Sequence, residues 1–103
     1  MFIMKFQENV WKLMKQIPKG KVTTYGQIAK KLGTKAYRAV GSVCKRNPYA
    51  PVVPCHRVVK SNGEVGNYSG SGGIKKKISL LKKEGITVRN NKIVDFDKKL
   101  FEF

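Results

Sequence analysis

The sequence predicts a small α+β domain, mainly helical, that resembles a winged helix-turn-helix and carries short β-hairpins. Two short amphipathic segments follow Thr24 and Thr34, with Gly33 between them, which is the pattern of a helix-turn-helix. Farther along the chain, Asn-Gly and Asn-Asn pairs separate short apolar runs, which is typical of hairpins. The chain has 103 residues and is 41% hydrophobic, enough for one core, so we expect a single domain over residues 1–103.

Three helices are predicted in the first half of the chain. The first covers residues 6–17, where apolar side chains recur on one face until Pro18 ends the pattern. The second begins after Thr24, which forms a capping-box pattern with Gln27, and Gly33 ends it.

The third helix is predicted to be capped by Thr34 and to carry different residues on its two faces. Its apolar face is Ala36, Ala39, Val40, Val43 and Cys44. Its outer face is Arg38, Gly41, Ser42 and Lys45. Small residues let a helix approach a sugar-phosphate backbone, and cations can meet phosphates. This outer face is therefore predicted to bind DNA, although a plain helical hairpin would show a similar pattern.

A proline-rich loop and a hairpin are predicted next. Three prolines make residues 46–54 an extended loop. Asn62 and Gly63 separate the short apolar runs 58–60 and 64–65, which predicts an antiparallel hairpin.

The last third of the chain is predicted to hold a loop, a helix and a closing hairpin. Residues 67–73 are rich in Gly and Ser and read as a loop. A fourth helix follows and ends near Gly85. Its apolar stripe is Ile74, Ile78 and Leu81. Runs 86–88 and 92–94, around the Asn-Asn pair, predict the closing hairpin.

A strong excess of positive charge predicts a polyanionic partner. The chain carries 22 basic against 6 acidic residues, a net charge of +16, which exceeds what solubility alone needs. Nucleic acid is the first candidate; a lysine-rich surface in a heat-adapted protein is the ordinary alternative. The cations are spread along the chain, which argues against membrane binding. There is no long apolar run, and the apolar start is too short for a signal peptide, so a cytoplasmic protein, nucleoid-associated in a prokaryote, is expected.

The two cysteines are predicted to have different roles. The sequence has two cysteines, one histidine and no C-x-x-C pair, so neither a disulfide framework nor a metal site is expected. Cys44 lies on an apolar helix face and is predicted to be core. Pro54, His56 and Arg57 surround Cys55, and the nearby positive charge favours the thiolate that a sulfur nucleophile needs. Adjacent side chains of an extended segment point opposite ways, so Cys55 and His56 can cooperate only where the chain turns or a water bridges them. A buried structural cysteine is the alternative.

Six stretches of the chain match, in order and spacing, one known family. They are Val22–Ala29, Arg38–Gly41, Arg46–Pro48, Pro54–Val58, Gly66–Gly70 and Leu80–Gly85. Together they resemble the C-terminal, active-site domain of the O6-alkylguanine-DNA alkyltransferases, also called methylated-DNA–protein-cysteine methyltransferases. The resemblance covers roughly residues 5–88, and we expect the family's N-terminal ribonuclease-like domain to be absent.

The resemblance implies a role for each residue of the reacting centre. Cys55 resembles the alkyl acceptor, and His56, acting through a water, its general base. Glu84 resembles the carboxylate that orients this histidine. Tyr25 resembles the residue that lines the pocket for the flipped base and donates a proton toward the departing guanine. Packing between helices for Tyr25 and a plain helix end for Glu84 are the alternatives.

The resemblance also implies roles on the DNA side, and it places the recognition helix in the minor groove. Arg38 resembles the arginine that fills the gap left by the extruded base, with a simple phosphate contact as its alternative. Asn47 resembles the asparagine that ties the recognition helix to the active-site turn, with ordinary turn chemistry as its alternative. Tyr68 and Ser69 resemble the loop that closes over the alkyl group. The implied base pocket is Tyr25, Asn47, Val59, Tyr68 and Ser69.

The function implied is DNA repair by direct, irreversible, single-turnover transfer of the O6-alkyl group of guanine to Cys55. The expected partner is double-stranded DNA, bound by a monomer without a cofactor; O4-alkylthymine is left open as a second substrate. A second hypothesis is a non-catalytic sensor of the alkyltransferase-like type, whose members lack the cysteine and recruit another repair pathway. A third is a winged-helix transcription regulator with an incidental cysteine.

Overall fold

The structure, a computed structural model, describes residues 2–46, 54–66 and 72–103. It confirms an α+β fold that is mainly helical. The helices are α1 Phe2–Gln16, α2 Tyr25–Lys31, α3 Tyr37–Lys45, α4 Gly73–Lys83 and α5 Phe96–Lys99, and the strands are β1 Thr23–Thr24, β2 Val58–Val59, β3 Val88–Arg89 and β4 Lys92–Ile93. Within the described ranges, no helix combines the length and apolar character needed to cross a membrane.

The first two helices form as the sequence predicts. The apolar face of α1 is buried at Val10, Leu13 and Met14, although the helix begins earlier than predicted. Helix α2 begins where Thr24 Oγ1 accepts a hydrogen bond from the backbone N–H of Gln27 at 3.0 Å. Such a cap stabilises a helix by about 1 kcal/mol.

The start of α3 differs from the prediction. The N-cap is Ala36 rather than Thr34, and the helix begins at Tyr37. Thr34 Oγ1 instead accepts from the N–H of Ala36 at 3.1 Å, so its hydroxyl closes the turn before the helix. The buried face of α3 is also narrower than predicted, because Ala36 and Ala39 are exposed. Small side chains gain little from burial, so the larger residues of the face decide which side enters the core.

The prediction of an antiparallel hairpin across Asn62 and Gly63 is wrong in the strands that it pairs. The turn forms, with the N–H of Lys60 bonded to the carbonyl of Glu64 at 2.9 Å. Strand β2, however, pairs in parallel with β1, in the register Thr23 to Val58 and Thr24 to Val59. Both residues of β2 are buried. A strand that is apolar on both faces favours a covered position between layers over an open hairpin with one wet face.

The closing hairpin is confirmed, and the chain beyond it adds structure that was not predicted. Strands β3 and β4 pair antiparallel around Asn90 and Asn91, whose φ values of 52° and 62° suit a type I′ turn. Helix α5 follows, and the next residues pair with the start of β1: the N–H of Phe101 donates to the carbonyl of Val22 at 2.6 Å. A four-residue helix is too short to show a periodic pattern.

Two apolar clusters meet at β2. One is built mainly on α1, α2 and α3 and includes Cys55 and Val58. The other includes Val59 together with Leu81 of α4 and Ile93 of β4. Alternate side chains of β2 thus enter different clusters, which holds the turn before β2 firmly between the helical half and the β-rich half.

Candidate active site

The chain turns at Cys55. Residues 55–57 form a single 3-10 turn in which the N–H of Arg57 donates to the carbonyl of Pro54 at 3.0 Å. Cys55 and His56 are therefore not on opposite faces of an extended segment. A turn of the chain at this point was one of the two conditions for their cooperation, the other being a bridging water. Both side chains are buried, with 6% and 2% of their surfaces exposed.

Glu84 joins His56 and Arg57 at the end of α4. Its Oε2 lies 3.0 Å from His56 Nε2, and its two oxygens accept from Arg57 Nε at 2.8 Å and Nη2 at 2.6 Å. Arg57 Nη1 also donates to the carbonyl of Ile17 at 2.9 Å, which ties this group to the end of α1. The sequence alone assigned Arg57 a general positive charge and missed this bidentate contact.

The protonation state of His56 follows from these contacts. Burial lowers the pKa of His56, helped by the charges of Arg57 and Lys77, and outweighs the opposing effect of Glu84. Burial alone would raise the pKa of Glu84, but hydrogen bonds from Arg57 and His56 outweigh it and keep this carboxyl ionised. A neutral histidine that faces a carboxylate through Nε2 carries its proton there. Its Nδ1 is then a free lone pair, and this buried atom has no hydrogen-bond partner among the described residues.

The free energy of unfolding is expected to fall as the pH drops from about 7.5 to about 5.5. His56 is the only histidine of the chain. The unfolded chain takes up its proton near the ordinary pKa of 6.5, whereas folded His56 does so at a lower pH, so the unfolded state binds more protons in this window. Thermal unfolding of the wild type and of His56→Gln at both pH values measures the effect. The prediction would be contradicted if the stability of the wild type did not change with pH, or if it changed equally in the wild type and in His56→Gln.

Lys77 is a buried cation beside the cysteines, and the sequence analysis missed it. Its side chain is fully buried, and Nζ donates to the carbonyl of Val58 at 2.8 Å. Burial lowers the pKa of Lys77 to about 8, against the attraction of Cys55 and Cys44. The signal was present, because Lys77 stands one helical turn before Leu81 on the stripe of α4 that faces the core. Ile74, which the sequence also places on this stripe, is exposed instead.

Tyr25 and Gly66 border the same space. A Cβ added to Gly66 would lie 3.8 Å from Lys77 Nζ and 4.0 Å from the Tyr25 hydroxyl, so both polar groups reach the backbone there. The φ of +77° at Gly66 also favours glycine. Burial, followed by the charges of Cys44 and Cys55, raises the pKa of Tyr25, and its hydroxyl stays protonated at neutral pH.

Cys44 is a core residue. Its Sγ donates to Met14 Sδ at 3.7 Å inside the helical cluster, and neither cysteine of the chain is in a disulfide. Burial, with a smaller contribution from the charge of Cys55, raises the pKa of Cys44 to about 12. A thiol of this kind is a poor nucleophile at neutral pH.

The other predicted site residues divide into three groups. Arg38, Ser42 and Lys45 are exposed on α3, and Gly41 is half-buried against Tyr25. The side chain of Val59 is fully buried in the cluster with Leu81, so any contact with a base is left to its main chain. Asn47, Tyr68 and Ser69 lie outside the described residues, and their roles stay predictions. In the described part of the chain, no three His, Cys, Asp or Glu residues gather as a metal site would need.

A family comparison agrees with this fold and site. Residues 5–86 match the protein-family model for the DNA-binding domain of 6-O-methylguanine DNA methyltransferase. The chain belongs to this family of DNA-repair proteins. The methylated-DNA–protein-cysteine methyltransferase of Methanosarcina acetivorans is 50% identical over 82 residues, which cover 79% of this chain and 51% of that protein. The enzyme of that name from Cricetulus griseus is 48% identical over 84 residues, covering 81% and 40%. The chain thus spans about half the length of the methyltransferases it matches.

Two similar proteins have been solved in complex with DNA. The Mycobacterium tuberculosis OGT in complex with DNA is 45% identical, with a TM-score of 0.72, and the match covers 77% of this chain and 48% of that one. Atl1 of S. pombe, in complex with damaged DNA containing O6-carboxymethylguanine, is 28% identical with a TM-score of 0.81, and the match covers 97% of both chains.

Proposed function

We propose that this protein repairs DNA by transferring the O6-alkyl group of guanine, methyl in the simplest case, to Sγ of Cys55. The observation that carries the proposal is the state of the neighbouring histidine. His56 is neutral, its Nε2 is held by Glu84, and its buried Nδ1 has no partner among the described residues. A histidine oriented by a carboxylate, beside a nucleophile, is the arrangement of a general base.

The transfer requires one displacement at carbon. His56 Nδ1 takes the proton of Cys55 through a water, and the charge of Lys77 favours the resulting thiolate. The thiolate forms a bond to the alkyl carbon as the bond from that carbon to O6 breaks, and the electron pair goes to the guanine. The Tyr25 hydroxyl donates the proton that neutralises the departing base. The product is a thioether, which a neutral histidine does not hydrolyse, so each molecule acts once.

The alkylated base must leave the duplex to reach Cys55, because an alkyl group on O6 is buried in the stack. The charge of +16 and the exposed face of α3 fit a DNA partner. The relatives solved with DNA support the same partner. Arg38 is proposed to occupy the gap that the extruded base leaves.

Arg38→Ala is expected to slow methyl transfer from duplex DNA by about 10²-fold, because unstacking a base costs a few kcal/mol that Arg38 offsets. Transfer from the free O6-methylguanine base needs no extrusion and should keep its rate. Single-turnover rates with both substrates measure the difference. Equal slowing of both would assign Arg38 to chemistry or folding instead.

The test of the function is transfer of labelled methyl from O6-methylguanine in duplex DNA to the protein. The expected result is one label per protein on the peptide that contains Cys55, without turnover. A second candidate function, damage sensing without transfer, is favoured by the full-length match to Atl1. It predicts tight binding of the lesion duplex with no label transferred, and that outcome would overturn the proposal.

A further inference from the structure

Tyr37, the first residue of α3, is a large aromatic side chain left in solvent. Its side chain is 56% exposed, and Ile74 at 37% is the other large hydrophobic residue exposed in the described part of the chain. The Tyr37 hydroxyl makes no hydrogen bond to another described residue. Single exposed apolar side chains are common and need no explanation. The position of Tyr37 is what distinguishes it.

Tyr37 lies on the same flank of α3 as Gly41, the residue of this helix that approaches Tyr25. It shares a helical row with Gly41, one turn on, and a Cβ on Gly41 would lie 4.0 Å from Tyr25 Cδ1. The opposite flank is different, because Ala39 and Val43 line a groove shared with α1. The row of Tyr37 therefore leads, through Gly41, toward Tyr25.

Arg38 follows Tyr37 in the chain and points about 100° away around the helix axis. Two neighbouring residues at the start of the helix thus present a cation to the outer face and a ring to the flank that carries Gly41. An exposed aromatic among cations is the usual platform for stacking on nucleic-acid bases. Two further cations close to α3 are exposed: Lys35, two residues before the helix, and Lys45, its last residue.

We propose that Tyr37 is a DNA-positioning residue whose ring stacks on the base or deoxyribose beside the extruded nucleotide, on the strand that enters the Tyr25 pocket. The proposal rests on the proposed function and deepens it. Arg38 occupies the gap in the stack, while Tyr37 holds the displaced strand and so favours the flipped-out state. Tyr37 should therefore affect the reaction with duplex DNA and not the reaction with the isolated damaged base.

The experiment compares Tyr37→Ala, Tyr37→Leu and Tyr37→Phe, with Ile74→Ala as the matched control for loss of an exposed apolar residue. Single-turnover methyl transfer is measured from a duplex that contains O6-methylguanine and from the free base. Tyr37→Ala and Tyr37→Leu should be about tenfold slower on the duplex and unchanged on the free base. Tyr37→Phe and Ile74→Ala should match the wild type on both. Full activity of Tyr37→Leu on the duplex, or equal slowing on the free base, would overturn the proposal.

A second readout keeps this test separate from that of the proposed function. Affinity for the same lesion duplex is measured by anisotropy, and unstacking is followed by 2-aminopurine beside the lesion. Tyr37→Ala and Tyr37→Leu should bind the duplex about tenfold more weakly than the wild type and unstack the neighbouring base less. Tyr37→Phe should equal the wild type in both measurements. A wild type that transfers no methyl would refute the proposed function alone. Equal binding by all four variants would refute the role of Tyr37.

Discussion

Cys55→Ser is expected to abolish methyl transfer and to leave DNA binding intact. Loss of a catalytic nucleophile costs on the order of 10⁶-fold in rate where it has been measured, so transfer should fall below detection. An alcohol is far less ionised and less nucleophilic than a thiol at neutral pH. The exposed residues of α3 are untouched, so the affinity for a lesion duplex should be that of the wild type.

Cys44→Ser is the matched control, because it makes the same change in a buried thiol outside the reacting centre. A hydroxyl in place of the thiol beside Met14 Sδ should lower the free energy of unfolding by about 1–3 kcal/mol and keep transfer. Mass spectrometry of the reacted peptides and a thermal unfolding curve measure the two effects. Label on Cys44, or transfer by the Cys55 variant, would refute the assignment of the acceptor.

Glu84→Gln is expected to slow methyl transfer by about 10²-fold and to destabilise the fold. The amide no longer holds the tautomer of His56 that leaves Nδ1 unprotonated, and the charge of Arg57 loses its bidentate partner. Glu84 and Arg57 are partly buried, at 10% and 17% exposed, and removing one partner of such a hydrogen-bonded pair costs about 1–3 kcal/mol. Single-turnover rates and denaturant unfolding measure the two losses separately.

The double variant Glu84→Gln with Arg57→Met separates positioning from stability. Removing the arginine relieves the unpaired buried charge, so much of the lost stability should return. The rate should stay low, because His56 still lacks its carboxylate. Recovery of the rate together with the stability would mean that Glu84 acts on the fold alone.

Local patterns predicted the first four helices of this protein, whereas the four-residue α5 left no periodic signal. Apolar periodicity in α1, the Thr24 cap of α2 and the Asn-Asn turn between β3 and β4 are decided by residues near one another in the chain. The same local patterns predicted Cys55 as a nucleophile beside His56. Family resemblance added Glu84, which stands 28 residues from His56 and approaches it to 3.0 Å.

Tertiary structure decided the features that depend on distant partners. Val58 and Val59 pair in parallel with β1 rather than in a hairpin, because both faces of the strand are covered by separate apolar clusters. Lys77 reads as a surface lysine until its Nζ is seen on the carbonyl of Val58, at the point where α4 packs on the active-site turn. Such contacts close only when the core forms, since burial and hydrogen bonding act through space between segments that are distant in the chain.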